Sequence, residues 1–384
     1  MNCSGIDVAT GNFIAIEFGA TIEEVRAWDG PAEMETLLAP GFIDIQVNGF
    51  AGVDFNNPAA SVDDMGRALE AILRTGVTRC LPTVITGDPD NMLACLRNLR
   101  HAQTTLPWGR AIAGFHVEGP HIGAEDGPRG AHPARWVRPP DLNEFHRWQE
   151  ATEGNIRLIT LSPHWPGAPA YIAAIVQAGV TASIGHTGAT AAQIKAAVEA
   201  GATLSTHLGN ATHASLRKHP NYIWDQLAED RLSASFIVDG IHLGRAFLRT
   251  ALRAKTVERT VLVTDASAPA GARFPGRYRL GEQDVDLTED GRVVLAGTDK
   301  LAGSALRMNR GIANMVRLGG LSLADAMRTA TVNPACVIHL DGRMRGFEVG
   351  ERADIVAIRM KDTDLEIGSV WLDGRLAVSF SETC

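Results

Sequence analysis

The chain has no excess of positive charge, no long apolar run and no cysteine pattern. Its 36 Lys and Arg against 44 Asp and Glu leave a formal charge of −8, which excludes the broad basic face that nucleic acid requires. A local basic cluster would still suffice for one small anion. The five cysteines (Cys3, Cys80, Cys95, Cys336 and Cys384) are odd in number, widely scattered and form no C-x-x-C pair. A disulfide framework is therefore not expected, and the reading is a reduced, cytoplasmic protein. The first apolar stretch, Phe13-Ile14-Ala15-Ile16, is cut short by Glu17. No signal peptide and no membrane span are expected, and no low-complexity tract or short repeat interrupts the chain.

What is there is an alternation. At 384 residues the chain is long for one ordinary domain, and 45% hydrophobic with 21% charged content is a globular composition. Residues 1–38 are β-prone with acidic interruptions and lead to Pro40-Gly41. From Phe42 strands are expected at 42–47, 78–86, 111–118, 156–162, 180–185, 203–207, 234–239 and 260–265. Helices at 62–75, 91–101, 168–178, 190–200 and 244–254 separate most of them. Two more follow at 304–318 and 322–331, the second with Ser322 as N-cap and Asp325 placed for a capping box. Short β patterns return at 353–358 and 369–372. Eight strands in βα order imply closure rather than an open sheet. The reading is an α/β chain: a (β/α)8 TIM-like barrel over 39–344, and a small β-sandwich domain formed by the two ends, 1–38 plus 345–384.

Four of those strands end on a polar residue. Gly114-Phe115-His116-Val117-Glu118 is an apolar run that stops at a carboxylate, and Gly119-Pro120 follows. An ionised Glu there is costly to bury unless something pairs with it. His186, His207 and Asp265 close three other strands in the same way. Polar residues at the C-terminal ends of barrel strands read as one active site. Glu118, His186 and His207 suit a divalent metal, Zn²⁺ or Fe²⁺, with positions left for water or substrate; the bland alternative is a structural polar cluster. Asp265 reads as the general base that later gives its proton to a leaving amine, against the alternative of a helix N-cap. No long helix pattern follows it.

His132, in a Gly- and Pro-rich loop, could polarise a scissile carbonyl or simply lie at the surface. His242 has a similar standing after the seventh strand. Asn210 and the backbone of Ala211 follow His207 and could hydrogen-bond a substrate. Arg217-Lys218-His219 is a basic cluster on the same loop: a solvated face, or a clamp for phosphate or carboxylate. Tyr222 and Trp224 could stack on a sugar or pack the loop.

The runs Pro40-Gly41-Phe42-Ile43-Asp44-Ile45-Gln46-Val47-Asn48-Gly49, Val117-Glu118-Gly119-Pro120, Gly185-His186-Thr187, Thr206-His207-Leu208, Asp239-Gly240-Ile241-His242 and Val263-Thr264-Asp265-Ala266 carry a resemblance. Together with Leu301-Ala302-Gly303-Ser304 and Asn333-Pro334-Ala335, they resemble the N-acetylglucosamine-6-phosphate deacetylases of the amidohydrolase superfamily, from about Pro40 to Asp354. The resemblance implies a barrel with a small β domain from both termini, as a homodimer. It implies one divalent metal per subunit on Glu118, His186 and His207, and Asp265 as catalytic carboxylate. His132 and His242 match substrate-contacting histidines. Asn48, Asn210, Ala211, Arg217 and Ser304 are the further substrate contacts it suggests.

Where many amidohydrolases carry His-x-His, this chain has Gln46-Val47-Asn48, which resembles the one-metal branch. Gln46 there would hydrogen-bond the attacking water. No Lys closes the fourth strand, so a carboxylated-lysine bridge is not expected. The phosphate-using members carry Asn-Ala-Met and then Arg-Glu-Pro-Gly, whereas this chain has Asn210-Ala211-Thr212 and then Arg217-Lys218-His219-Pro220. The implied activity is hydrolysis of the acetamide of N-acetylglucosamine 6-phosphate. A related unphosphorylated N-acyl amino sugar, or another N-acyl amine, is the alternative; a non-catalytic barrel scaffold is the distant one.

Overall fold

Eight parallel strands carry the fold of the computed structural model, which describes residues 1–28, 30, 36–272, 274–361 and 364–379. In chain order they are Phe42–Val47, Val77–Ile85, Phe115–Glu118, Ile156–Leu161, Thr181–Ile184, Leu204–Ser205, Ser233–Ile237 and Thr260–Val263. Each pairs with its sequence neighbour, so the order in space is the order in the chain. The eighth strand closes on the first: Asp265 N donates to Gln46 O at 3.0 Å and Asn48 N to Ala266 O at 2.6 Å. Thus the seam of the barrel lies between the residues singled out above.

Several of the helices between the strands begin at side-chain caps, while Ala168–Gln177 and Arg245–Lys255 start from glycine without one. Ser61 and Asp64 close a reciprocal capping box on Val62–Leu73, and Thr190 and Gln193 do the same for Ala191–Glu199. Ser322 caps Leu323–Thr329 through the Asp325 N–H, as its spacing predicts. Met65, Leu69 and Ile72 face inward at helical spacing. Helices Leu142–Ala151 and Tyr222–Ala228 are additions to the expected set.

Inside the barrel, Ile43, Leu81, Leu158, Leu204 and Val261 form an apolar plug. Above it lies a buried polar layer: His116 Nε2 meets Thr160 Oγ1 at 2.8 Å, and Thr206 Oγ1 lies 2.7 Å from Thr160 Oγ1 and 2.6 Å from Ser183 Oγ. Burial holds the His116 imidazole down at about 4, hence neutral. The active face therefore rests on a layer whose hydrogen bonds are satisfied.

The two ends of the chain pair as expected. Hydrogen bonding joins their strands into one seven-stranded sheet that folds over on itself, with the rings of Phe18 and Trp371, from strands four apart in the order, 6.1 Å from each other. The order runs Arg375–Ser379, Asp364–Leu372, Ile355–Lys361, Leu37–Pro40, Asn2–Asp7, Phe13–Phe18, Ile22–Ala27. Bulges at Ala357/Ile358, Val370/Trp371 and Glu17/Phe18 bend it. Both faces are buried: Ile16, Phe18, Leu38 and Ile355 form one cluster, while Val356, Leu365, Val370 and Leu372 join the main core. Cys3, Cys80, Cys95 and Cys336 are free thiols; Cys384 lies outside the described residues.

A second unexpected element follows the eighth strand. Gly276–Leu280, Gln283–Leu287 and Val293–Leu295 form a three-stranded antiparallel sheet. Leu280, Val285, Val293 and Ala302 seat it against Ile85 at the top of the second strand. It brings residues 299–303 to the barrel mouth.

Candidate active site

The strand ends converge. Glu118 is the last residue of the third strand, and His186, His207 and Asp265 each stand two residues beyond the fifth, sixth and eighth. These last three have left-handed backbone, with φ of 51°, 29° and 49°. For residues with a Cβ this is strained by about 1–3 kcal/mol each. Strain at these positions alters the alternation of the strand.

Glu118 Oε1 lies 3.2 Å from His186 Nε2 and 3.0 Å from His207 Nε2, and the two Nε2 atoms are 3.1 Å apart. All three side chains are buried. His186 Nδ1 is 2.9 Å from Pro128 O; donation there leaves Nε2 as a lone pair. A carboxylate oxygen and imidazole lone pairs gathered this closely repel one another without a cation between them. Their donor atoms all lie within 4.8 Å of each other, so the residues fit a divalent metal. The same demand for positive charge shows in titration. Burial alone raises the Glu118 carboxyl; where no cation meets the lone pairs, protonated His186 and His207 take its place as Nε2–H donors and positive charges, and hold that carboxyl well below the ordinary range.

Asp265 is held next to this group. Gln46 Nε2 donates to Glu118 Oε1 at 2.8 Å and to Asp265 Oδ1 at 3.2 Å, and Asn48 Nδ2 donates to Asp265 Oδ1 at 2.7 Å. Burial, with the neighbouring Glu118 charge, pushes the Asp265 carboxyl up to about 6. A carboxyl in that range exchanges protons near neutrality. His132 lies with Nε2 3.9 Å from Glu118 Oε2, and its Nδ1 meets the Thr86 hydroxyl at 2.8 Å. Burial pushes that imidazole down to about 3, so it is neutral.

A cavity of about 400 Å³ opens onto these groups, lined also by Asn48, Asn210, Ala211 and His242. That volume suits a small polar molecule. His242 Nδ1 sits 2.6 Å from Asp239 Oδ2, an imidazole oriented by a carboxylate three residues earlier. Asn48 Oδ1 is buried without a partner among the described residues, an acceptor left in the cavity wall.

Two expected contacts stand elsewhere. Arg217 and Lys218 are exposed and do not line the cavity. The loop is tied instead through its own backbone, with Asn221 Nδ2 donating to Arg217 O at 2.9 Å. Ser304 is buried behind Asp265: its hydroxyl donates to Thr264 O at 2.6 Å and its N–H to Asp265 O at 2.9 Å. It thereby braces the turn and does not face the cavity. Tyr222 packs the loop through its hydroxyl, 2.9 Å from His213. Thr86, just past the end of the second strand, was not singled out in the sequence, although the strand-end rule applies to it equally. Asp239 carried an i, i+3 spacing to His242 that could have found it.

An eight-stranded barrel with a carboxylate–imidazole metal cluster and an adjacent carboxyl defines a class of metal-dependent amide hydrolase. A model of the amidohydrolase family matches residues 37–377, and the chain belongs to that family. It is 35% identical over 357 residues to N-acetylglucosamine-6-phosphate deacetylase of Bos taurus, covering 90% of this chain and 84% of the relative. It is 32% identical over 341 residues to N-acetylgalactosamine-6-phosphate deacetylase of Escherichia coli O157:H7, covering 89% and 88%. A mutant N-acetyl-D-glucosamine-6-phosphate deacetylase from Mycobacterium smegmatis, solved with N-acetyl-D-glucosamine-6-phosphate, superposes with a TM-score of 0.88. That match has 33% identity and covers 99% of both chains. Within the amidohydrolases the chain thus belongs to the N-acetylglucosamine-6-phosphate deacetylase family.

Proposed function

We propose that this chain hydrolyses the acetamide of N-acetylglucosamine 6-phosphate to acetate and glucosamine 6-phosphate. The observation that carries this reading is the convergence of Glu118, His186 and His207 beside an Asp265 held by Gln46 and Asn48. In this reading Glu118, His186 and His207 hold one divalent ion, Zn²⁺ or Fe²⁺. Bound there, the ion supplies Lewis-acid chemistry that draws charge from a carbonyl oxygen and makes water a better nucleophile.

The chain's own residues do the rest. Gln46 and Asn48 both donate to Asp265 Oδ1, so Oδ2 is the atom that takes a proton as water oxygen bonds to the acetamide carbon. His132, held at Nδ1 by Thr86, presents Nε2 to the carbonyl oxygen as charge collects on it. The carbon–nitrogen bond then breaks, and Asp265 returns its proton to the departing amine. Asn210, the Ala211 backbone and His242 hold the sugar from the far wall, and the active unit is a homodimer.

The test is acetate release from N-acetylglucosamine 6-phosphate, its galactosamine epimer and unphosphorylated N-acetylglucosamine, before and after chelation. Turnover of a phosphorylated sugar that is lost on chelation and restored by Zn²⁺ or Fe²⁺ is the expected result; release from none of the three refutes the reading. Glu118→Gln is expected to lower bound metal to a small fraction of the wild-type content, measured by elemental analysis, with circular dichroism unchanged. Wild-type metal content in that variant would remove Glu118 from the ligand set. Sedimentation would report the dimer.

A further inference from the structure

We propose that Lys300 holds the phosphate of the substrate, in the place that Asp126 takes when no substrate is bound. This rests on the deacetylase reading and adds to it the side chain that selects a phosphorylated sugar.

Three observations meet at this residue. First, the cavity needs a cation. Glu118, Asp265 and Asp299 line it, and the whole chain carries a net charge of −8. A phosphate monoester brings close to two further negative charges at neutral pH, while a metal at Glu118, His186 and His207 answers only the reacting end. Second, among the described residues Lys300 is the one Lys or Arg that lines the cavity. His242, on the far wall, is an imidazole held at Nδ1 by Asp239 at 2.6 Å and can supply one further hydrogen bond from Nε2, whereas Lys300 brings a full ammonium charge. The Arg217 and Lys218 side chains are outside the lining.

Third, the ammonium reaches across the mouth. Residues 299–303 and Gly127 both belong to the cavity wall, and Lys300 Nζ bridges from one to the other, 2.6 Å from Asp126 Oδ1. Its partner is easily displaced: Asp126 is 81% exposed against 33% for Lys300. An exposed pair of this kind contributes little, whereas a phosphate offers a lysine more acceptors and more charge. Lys300 follows the hairpin sheet and is tied to its last strand, Leu295 N donating to Lys300 O at 2.8 Å; that sheet is seated on Ile85 by its own apolar cluster, so the backbone that presents the cation is held in place.

The experiment compares kcat/KM for N-acetylglucosamine 6-phosphate and for unphosphorylated N-acetylglucosamine in metal-loaded wild type, K300Q, K300R, D126N and R217Q. K300Q is expected to lower the phosphorylated-to-unphosphorylated ratio about tenfold or more, through KM, and K300R to restore part of it. Inhibition by inorganic phosphate should weaken in K300Q alongside. D126N, which frees the ammonium, should keep or raise the ratio. Equal losses on both sugars in K300Q, or no loss, overturn the proposal. So does a fall in D126N matching that of K300Q, which would mark the pair as a structural clasp. A collapse confined to R217Q assigns the contact to the exposed loop and also overturns it. Wild type releasing acetate from neither sugar would instead refute the deacetylase reading itself.

Discussion

Replacing Asp265 by Asn is expected to lower kcat by about 10³-fold, a typical worth for a positioned acid–base group, with bound metal and fold retained. The substitution is close to isosteric. Asn keeps an oxygen to accept from Gln46 Nε2 and Asn48 Nδ2, the contacts that now hold Asp265 Oδ1 at 3.2 and 2.7 Å. The backbone contacts of the turn, Asp265 N to Gln46 O and Ser304 N to Asp265 O, are untouched. What is lost is the ability to take a proton from water and return it to the amine. The measurement is steady-state acetate release beside elemental metal content. A variant that retains a tenth of wild-type kcat at full metal loading would refute the assignment.

Replacing Asp354 by Ala is expected to destabilise the protein by about 3–5 kcal/mol, the cost of breaking a buried ion pair by removing one partner. Asp354 has no exposed side-chain surface. It accepts from Arg79 Nε at 2.7 Å and Nη2 at 3.1 Å, from Arg343, and from the Asp373 N–H at 2.8 Å. Arg343 also reaches the Thr78 hydroxyl and Gly41 O, and Arg79 reaches Asp373 Oδ1 at 2.6 Å. These contacts link the starts of the first two barrel strands to the terminal sheet. With Asp354 gone, Arg79 is left with Asp373, which it shares with Arg352, and the buried Arg343 loses the carboxylate it donates to.

The pair also dictates a pH response. Burial alone raises the Asp354 carboxyl, but Arg343 and Arg79 hold it below its ordinary 3.8. Its contribution is therefore complete above that value and is lost as pH falls below it. Urea unfolding of wild type and variant at neutral pH measures the difference, and a loss under 1 kcal/mol would show that the network is not a strut.

Much of the site was legible because the barrel imposes one rule. Side chains at the C-terminal ends of parallel strands share a rim, so Glu118, His186, His207 and Asp265 could be grouped from strand order alone. The metal reading followed from donor chemistry, since buried strands seldom end on unpaired charge. Other features left no local trace. The hairpin sheet at 276–295 has a mixed burial pattern with few apolar positions, because it buries one face, through Leu280, Val285 and Val293, against Ile85. The basic run Arg217-Lys218 suggested a clamp, and in the structure both residues are exposed and outside the lining of this chain's cavity. Composition in a loop does not specify which way it folds.

By itself the sequence determined the closed barrel, the pairing of its two ends and the identity of the groups at the rim. Those depend on short-range patterns: β-branched runs, caps and helical spacing repeat within a few residues. Only the tertiary structure decided how the rim works. The grip of Gln46 and Asn48 on Asp265 joins residues more than 200 positions apart. The Lys300–Asp126 bridge spans 174 positions, and the Arg79–Asp354 strut 275. The physical reason is that a hydrogen bond or ion pair needs its atoms within about 3 Å. Packing of distant segments sets that distance, and no local preference encodes it.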